Sequence, residues 1–221
     1  MHLAKTIDAR LVNSRLVELR GATISVAEFR RLINETIDPF DAKVVIRRLR
    51  GKVKHKMKIG GSFASYRKGK KIHITYLLPL RAKTITIKTR SLNRILFLTS
   101  QTLQHELIHK AQDKRRGQKF YTNRFPVTYS SRIQQKRKDD INYYSTHEEV
   151  DCFAQNIAME LVYNHPTESI SQLFKNIDKR KSQCYRRYIA TFKNTEWSAL
   201  RKELLKKIWK WLPKVSVVPR A

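Results

Sequence analysis

The sequence predicts an α+β protein that is mainly helical and contains a small three-stranded sheet. Two observations carry this prediction. Apolar residues recur at helical spacing in the first 40 residues and again from residue 91 onward, whereas a central stretch alternates apolar and polar residues. The resulting order is helices, a small sheet, a helix, a long loop and further helices. Such separation of helices from strands along the chain is typical of α+β proteins.

Residues 1–50 are predicted to form an N-terminal helical segment. Leucine and isoleucine recur near a helical period up to Gly21, which is a suitable stop for a first helix. Ser25 and Glu28 form a capping pattern ahead of a second helix. The pair Asp38-Pro39 marks a break, and the run FDAKVVIRRLRGK that follows Pro39 is compatible with either a helix or a strand.

A hairpin is predicted between His55 and Pro79. Apolar and polar residues alternate there on both sides of a Lys/Gly turn, with Ile72, Ile74 and Tyr76 on one face. A third short strand is expected at KTITIKT, just after the hairpin. We therefore divide the chain into the N-terminal segment, a catalytic core at 51–165 and a basic C-terminal helical segment at 166–221.

The run LQHELIHKAQ, inside the helix predicted from Ser91 to about Arg115, contains a candidate metal site. A helix places His105 and His109 on one face, one turn apart. Zinc binds such nitrogens at about 2.0–2.1 Å. Glu106 is rotated off that axis, where it would miss the metal and reach a metal-bound water as a general base. The alternative is an ordinary amphipathic helix with two histidines at a chance spacing.

The helix predicted to open near Thr146 offers the third ligand that a catalytic zinc site needs. Glu149 lies one turn before Phe153 in the expected core stripe, so it can point inward. Glu148 lies about 100° away, nearer the outer face, and His147 is a rival ligand. Both glutamates also fit capping boxes. The first motif does not continue as H-E-x-x-H-x-x-G-x-x-H, which disfavours a metzincin.

The run HELIH, followed by EEVDCFAQNIAMEL, resembles the small gluzincin-type metallopeptidases, among them ImmA/IrrE-type domains and compact phage-encoded peptidases. The resemblance covers roughly residues 73–161. It implies a minimal zincin fold, a zinc cofactor and Glu149 as third ligand beside His105 and His109, with Glu106 as the catalytic base. SprT-like proteases resemble the first motif and the charge, but the histidine that supplies their third ligand has no counterpart here.

A peptidase of this kind also needs a donor for the oxyanion and a surface for its protein or peptide substrate. Tyr143, Tyr144 and His147 are candidate donors because they adjoin the start of the ligand helix; we select Tyr144 and His147. The strand IHITYLL is expected to pair with an extended peptide. The connection from Gln112 to Tyr144 is a hypothetical cover for the cleft.

The charge balance points to a polyanionic partner. Lys and Arg number 47 against 18 Asp and Glu, for a net charge of +29. Nucleic acid is the first candidate and an anionic membrane surface the second. Because no motif for base-specific recognition is visible, we expect non-specific association. A second class of function is therefore a non-enzymatic nucleic-acid-associated or virion structural protein with a vestigial HExxH.

The location of the protein is predicted from its cysteines and its hydropathy. Cys152 and Cys184 form no C-x-x-C pair and no disulfide framework, which indicates a reducing compartment. No run of signal-peptide or transmembrane type is visible in the sequence. We therefore expect a cytoplasmic protein, in a host cell or a virion if it is phage-encoded.

Overall fold

A computed structural model describes residues 2–49, 57–62, 71–116, 140–192 and 197–215. Its helices and strands, in chain order, are α1 (His2–Val12), α2 (Arg15–Glu18), β1 (Thr23–Ser25), α3 (Val26–Ile37), β2 (Ala42–Leu49), β3 (Lys58–Ser62), β4 (Ile72–Pro79), β5 (Thr84–Thr86), α4 (Thr89–Arg116), α5 (His147–Asn164), α6 (Ile170–Lys175), α7 (Gln183–Thr191) and α8 (Trp197–Trp211). This mixture of helices and two small sheets confirms the α+β class. None of the described helices is both long enough and apolar enough to cross a membrane.

The chain forms two compact units. The described part of the first ends at Ala111, and the second is Gln112–Val215. Within the first unit, β2 pairs with β4, and α3 packs against β2.

The first helices end where local hydrogen bonds replace the helical ones. α1 stops at Val12, and the Ser14 hydroxyl donates to the Leu11 carbonyl at 2.7 Å. The first helix does not continue to Gly21 as predicted, because α1 ends at Val12 and the short α2 ends at Glu18; Gly21 follows with a φ of 89°, a left-handed conformation that glycine adopts without strain. The predicted cap of the next helix is confirmed, since the Ser25 hydroxyl accepts from the Glu28 N–H at 3.0 Å at the start of α3.

The three-stranded sheet has the strand order β2-β4-β3, with β2 parallel and β3 antiparallel to the central β4. The ambiguous run after Pro39 is thus a strand. The strand predicted at KTITIKT is confirmed as β5, but it pairs with β1 in a separate two-stranded sheet and does not belong to the three-stranded sheet. Ala42 and Val44 of β2 are each 1% exposed, so β2 has the buried apolar residues that suit it to the main sheet.

α4 packs along the buried face of β4, which alternates between buried and half-buried residues as predicted. The Tyr76 ring meets Phe29 of α3 edge to face, with centroids 5.1 Å apart. Its hydroxyl lies 2.6 Å from the Thr99 hydroxyl on α4. Because Thr99 donates its own hydrogen to the Ile95 carbonyl, Tyr76 is the donor to Thr99. Burial raises the pKa of the Tyr76 phenol well above its ordinary value.

The second unit is a helical assembly centred on α5, which packs against α7 and α8. The predicted core stripe is confirmed: Val150, Ala154, Ile157 and Leu161 are 0% exposed and Phe153 is 8% exposed. In α8, Leu204 and Ile208 are fully buried, whereas Leu200, Leu205 and Trp211 are only partly buried. The side chain of Trp197, the first residue of α8, lies outside the described residues.

Replacing Thr99 with valine is expected to destabilise the protein more than replacing Tyr76 with phenylalanine. Thr99→Val leaves the buried Tyr76 hydroxyl without its described acceptor, at a cost of about 1–3 kcal/mol. Tyr76→Phe removes a donor while Thr99 keeps its bond to Ile95, at a cost of about 1 kcal/mol. Urea unfolding of the two single variants and the double variant measures the difference; equal losses would contradict the assigned donor.

Candidate metal centre

The HExxH motif lies on α4, in the middle of the helix, and its three functional side chains are buried. His105 is 8%, Glu106 6% and His109 7% exposed. Leu103 just before them is fully buried in the core of the first unit, and Leu107 packs partly against that core. The apolar side of the helix therefore holds the motif in place, as the sequence predicted.

The two imidazoles face one another. Their Nε2 atoms are 3.1 Å apart, and the ring centroids are 4.8 Å apart. Two nitrogens bound to one tetrahedral zinc at about 2.0–2.1 Å lie about 3.4 Å from each other. A slight rotation of either ring therefore gives the separation that zinc requires. The observed distance also fits a direct N–H···N hydrogen bond, so this pair is compatible with a metal and does not by itself require one.

Cys152 is a potential ligand that the sequence analysis missed. His105, His109 and Cys152 are buried, and the atoms that they offer as ligands lie within 4.8 Å of one another, so this group could hold a metal ion. Neither a disulfide framework nor a C-x-x-C pair marks this cysteine in the sequence. The spacing held a further signal: Cys152 follows Glu149 by three residues, and a helix places residues at that spacing on one face.

Glu106 lies directly against β3. A Cβ atom built on Gly61 would come within 2.8 Å of both Glu106 Cγ and Oε1, and within 2.5 Å of Thr102 Cγ2. These distances are shorter than any ordinary contact, so the strand approaches the helix this closely only because residue 61 is glycine. The glutamate of the motif is therefore positioned beside a strand at the edge of the three-stranded sheet.

At the N-terminus of α5, Thr146 is the cap, and its hydroxyl accepts from the Glu149 N–H at 3.3 Å. The reciprocal half of the capping box is absent, because the Thr146 N–H donates to the Tyr143 carbonyl. Glu149 is 5% exposed, as its predicted inward position requires. The prediction that Glu148 lies near the outer face is wrong: it is 8% exposed, and Glu149 and Val150, which follow it, are buried as well.

Tyr144 lies in an aromatic cluster of the second unit, with ring centroids 5.0 Å from Phe153 and 5.6 Å from Tyr188. Its hydroxyl accepts from Arg187 Nη1 at 3.3 Å, which leaves its own hydrogen available to donate. Burial raises the pKa of the Tyr144 phenol, and the negative charge of Glu149 adds to that rise. Tyr144 is therefore a neutral donor in the electrostatic neighbourhood of Glu149.

Tyr188 is subject to the same electrostatic influence as Tyr144. Burial is the main cause that raises the pKa of its phenol well above the ordinary value, and the negative charges of Glu149 and Cys152 raise it further. Its hydroxyl donates to the Tyr144 carbonyl at 2.8 Å. Within the second unit, the two potential metal ligands of α5 therefore share their surroundings with two tyrosines.

His147 has a different environment. Its side chain is 55% exposed, and its Nδ1 lies 2.9 Å from Glu203 Oε1 on α8. Lys207 also contacts it and donates to its carbonyl at 3.1 Å. These contacts direct the imidazole of His147 toward α8. Tyr143, the other candidate donor, is 50% exposed.

The hypothetical cover over the cleft falls mostly outside the described residues. Of the connection from Gln112 to Tyr144, residues 117–139 are not described.

Comparisons with protein-family models, with curated proteins and with solved structures find no match to this chain. The arguments about function therefore rest on the residues and their geometry.

Gly61→Ala is expected to destabilise the protein by about 1–3 kcal/mol, because the new methyl group must push β3 away from Thr102 and Glu106. Gly60→Ala is the matched control: a Cβ at Gly60 meets nothing within 4 Å. That substitution should leave stability unchanged or raise it by up to about 1 kcal/mol. Thermal or urea unfolding compares the two variants, and equal stabilities would show that β3 does not approach α4 closely at Gly61.

Proposed function

We propose that this protein is a zinc-dependent metallopeptidase. The observation that carries the proposal is the buried His105–His109 pair, with Nε2 atoms 3.1 Å apart, beside a buried Glu106 that lies against an edge strand. Two imidazoles one helical turn apart, with a glutamate beside them, are the residue types and the spacing that bind a zinc ion and act on its water.

The third ligand comes from α5 in this proposal. The resemblance to gluzincin-type peptidases favours Glu149, whereas the cluster of potential ligands contains Cys152. Both are buried, and both are residue types that bind zinc together with histidine. Glu148 is a third possibility on the same turn. The donor set of two imidazoles with one carboxylate or thiolate fits zinc better than magnesium or calcium, which prefer oxygen ligands.

Glu106 acts as general base and then general acid. His105, His109 and the ligand from α5 would hold a zinc ion, which would lower the pKa of a bound water and polarise the scissile carbonyl. The Glu106 carboxylate takes a proton from the water and later delivers it to the leaving amine. Gly61 holds β3 close enough to keep this carboxylate in a fixed position. Because Glu106 is 6% exposed, little bulk water competes for its proton.

Tyr144 is the better of the two proposed donors for the oxyanion. Its hydroxyl still has a hydrogen to donate, and it lies in the electrostatic neighbourhood of Glu149. His147 instead forms its described contacts with Glu203 and Lys207. We therefore assign stabilisation of the oxyanion to Tyr144 and a structural role at the α5–α8 contact to His147.

An extended peptide substrate is expected to pair with β3. The sequence-based expectation that IHITYLL pairs with substrate is wrong, because β4 is the central strand and both of its edges are occupied by β2 and β3. β3 lies at an edge among the described strands, and its Gly61 touches the catalytic carboxylate. Backbone pairing at this edge would place a peptide bond near Glu106.

The zinc prediction is tested by substitution of the motif. Purified protein should contain about one zinc per chain, and His109→Ala should lose it. Glu106→Gln should retain the metal but lower peptide cleavage at least about 100-fold, because the base is gone while the ligands remain. Metal analysis and cleavage of a fluorogenic peptide library measure both. A chain that neither contains nor takes up zinc would refute the metallopeptidase.

A matched set of variants identifies the third ligand. Among Glu149→Gln, Cys152→Ser and Glu148→Gln, the true ligand should weaken zinc binding by more than about 100-fold, whereas a neighbour of the ligands costs about 10–100-fold at most. Cobalt substitution gives an independent result, since a Cys152 thiolate adds an intense near-ultraviolet band that carboxylates lack. Equal, small losses in all three variants would exclude a ligand from this turn of α5.

Nucleic-acid association is the second candidate function, and α8 favours it. Lys202, Lys206 and Lys210 recur every fourth residue and are exposed, so they form a row of positive charge on one side of the helix. Trp209 beside them is 47% exposed, with its ring 5.0 Å from Phe174. An aromatic ring next to a basic row is suited to bases and phosphates together. If zinc is absent, a non-enzymatic nucleic-acid-associated or virion protein is the remaining interpretation.

Replacing Lys202, Lys206 and Lys210 with glutamine is expected to weaken binding to DNA similarly for duplexes of different sequence. If all three contact phosphates, the slope of log K against log salt should fall in magnitude by about 2.7 for B-DNA. Fluorescence anisotropy across a salt series measures this slope.

The control carries the same loss of charge at scattered exposed positions, with glutamine at Lys5, Lys43 and Lys83. If both triple variants reduce the slope equally, binding depends on overall charge and the α8 row has no special role.

A further inference from the structure

The first unit contains a cavity of about 550 Å³ that the proposed chemistry does not use. It lies between β3, the end of β4, β5 and the first turns of α4. Its apolar lining comes mainly from Met57, Ile59, Leu78, Ile85, Ile95 and Leu98. This volume has room for a large aliphatic or aromatic side chain together with neighbouring peptide atoms, and its walls offer the apolar contacts that such a group needs.

Three cationic side chains also line this cavity. Lys88, Arg90 and Arg94 are exposed, and among the described residues none of them forms an ion pair. No acidic residue belongs to the described lining. An apolar cavity with such a rim is complementary to an apolar group that carries negative charges beside it.

The cavity lies along β3, the strand that also contacts the motif. Met57 just before β3 and Ile59 within it line the cavity, and Gly61, two residues beyond Ile59, touches Glu106. Along α4, Leu98 precedes Glu106 by eight residues, which corresponds to about 12 Å of helix. An extended peptide covers that distance in about three to four residues. One peptide paired with β3 would therefore reach both places.

We propose that this cavity is a specificity pocket for an acidic peptide, an inference that rests on the proposed peptidase function. The pocket takes a large apolar side chain flanked by carboxylates, three to four residues from the scissile bond. β3 runs from the cavity toward Glu106, so a peptide antiparallel to it runs from Glu106 toward the cavity. The apolar residue then lies on the C-terminal side of the cleaved bond.

Binding is measured first without catalysis, using the full chain with Glu106→Gln. The probes are two fluorescein-labelled nine-residue peptides, one with a central leucine between glutamates and one with serine in its place. Burial of leucine should make the first bind at least about tenfold more tightly. Equal affinities would overturn the proposal, since the charge of the protein attracts both peptides equally.

Two variants of the pocket locate the binding. Ala82→Phe, in the turn between β4 and β5, adds a ring to the cavity lining and should abolish the preference for leucine. Arg94→Glu should weaken both peptides more than Arg10→Glu does, because Arg10 is exposed but does not line the cavity. A leucine preference that survives Ala82→Phe would place the binding elsewhere and refute the pocket.

A third result separates this inference from the proposed function. Cleavage sites can be mapped in a peptide library. If they carry an apolar residue with acidic neighbours three to four positions C-terminal to the cleaved bond, the specificity pocket and the peptidase function are both supported. Cleavage without that preference would overturn the pocket and leave the peptidase. Binding of the leucine peptide without any cleavage would refute the peptidase and leave an acidic-peptide site. If decanoate displaces the leucine peptide, and the protein does not bind the leucine peptide more tightly than the serine peptide, the ligand is lipid-like and the proposal is overturned.

Discussion

The contact of α4 with the three-stranded sheet is the constraint on which the candidate site depends. The helix contacts the sheet at two successive places along its length. At the first, the Tyr76 hydroxyl donates to Thr99. At the second, Gly61 allows β3 to lie against Thr102 and Glu106. The first fixes the helix on the central strand. The second fixes the edge strand on the helix, with no room for a side chain between them. A shift at either place would move the Glu106 carboxylate relative to the edge that is proposed to hold the peptide.

The burial of the motif follows from this packing. His105, Glu106 and His109 lie on a helix whose other residues, such as Leu103, belong to the core. Burial of two imidazoles and a carboxylate is costly unless they are paired or bound to a metal. The same packing leaves room further along β3, where the apolar cavity with its cationic rim lies beside the first turns of α4. Catalytic position and substrate preference would thus depend on one helix and one strand.

The strong positive charge has a separate origin. Residues 1–111 contain 24 Lys and Arg against 7 Asp and Glu, and residues 112–221 contain 23 against 11. Since both halves are basic, the charge is a property of the whole chain and not of a tail. Long-range attraction of polyanions would act on the chain as a whole, whereas the row on α8 and the rim at Arg94 are local. An acidic peptide and a nucleic acid are therefore attracted by the same field and are distinguished only by local contacts.

The sequence by itself determined the helices that carry the motif and the ligand turn, the caps at Ser25 and Thr146, and the α+β class. These depend on periodicity and on hydrogen bonds within a few residues, which are local properties. Only the tertiary structure decided the pairing of β2 with β4, the central position of β4, the burial of Glu148 and the approach of β3 to Glu106. Each of these depends on contacts between residues far apart in the chain. Alternation identifies a strand without naming its partner, and a glycine does not reveal which helix lies against it.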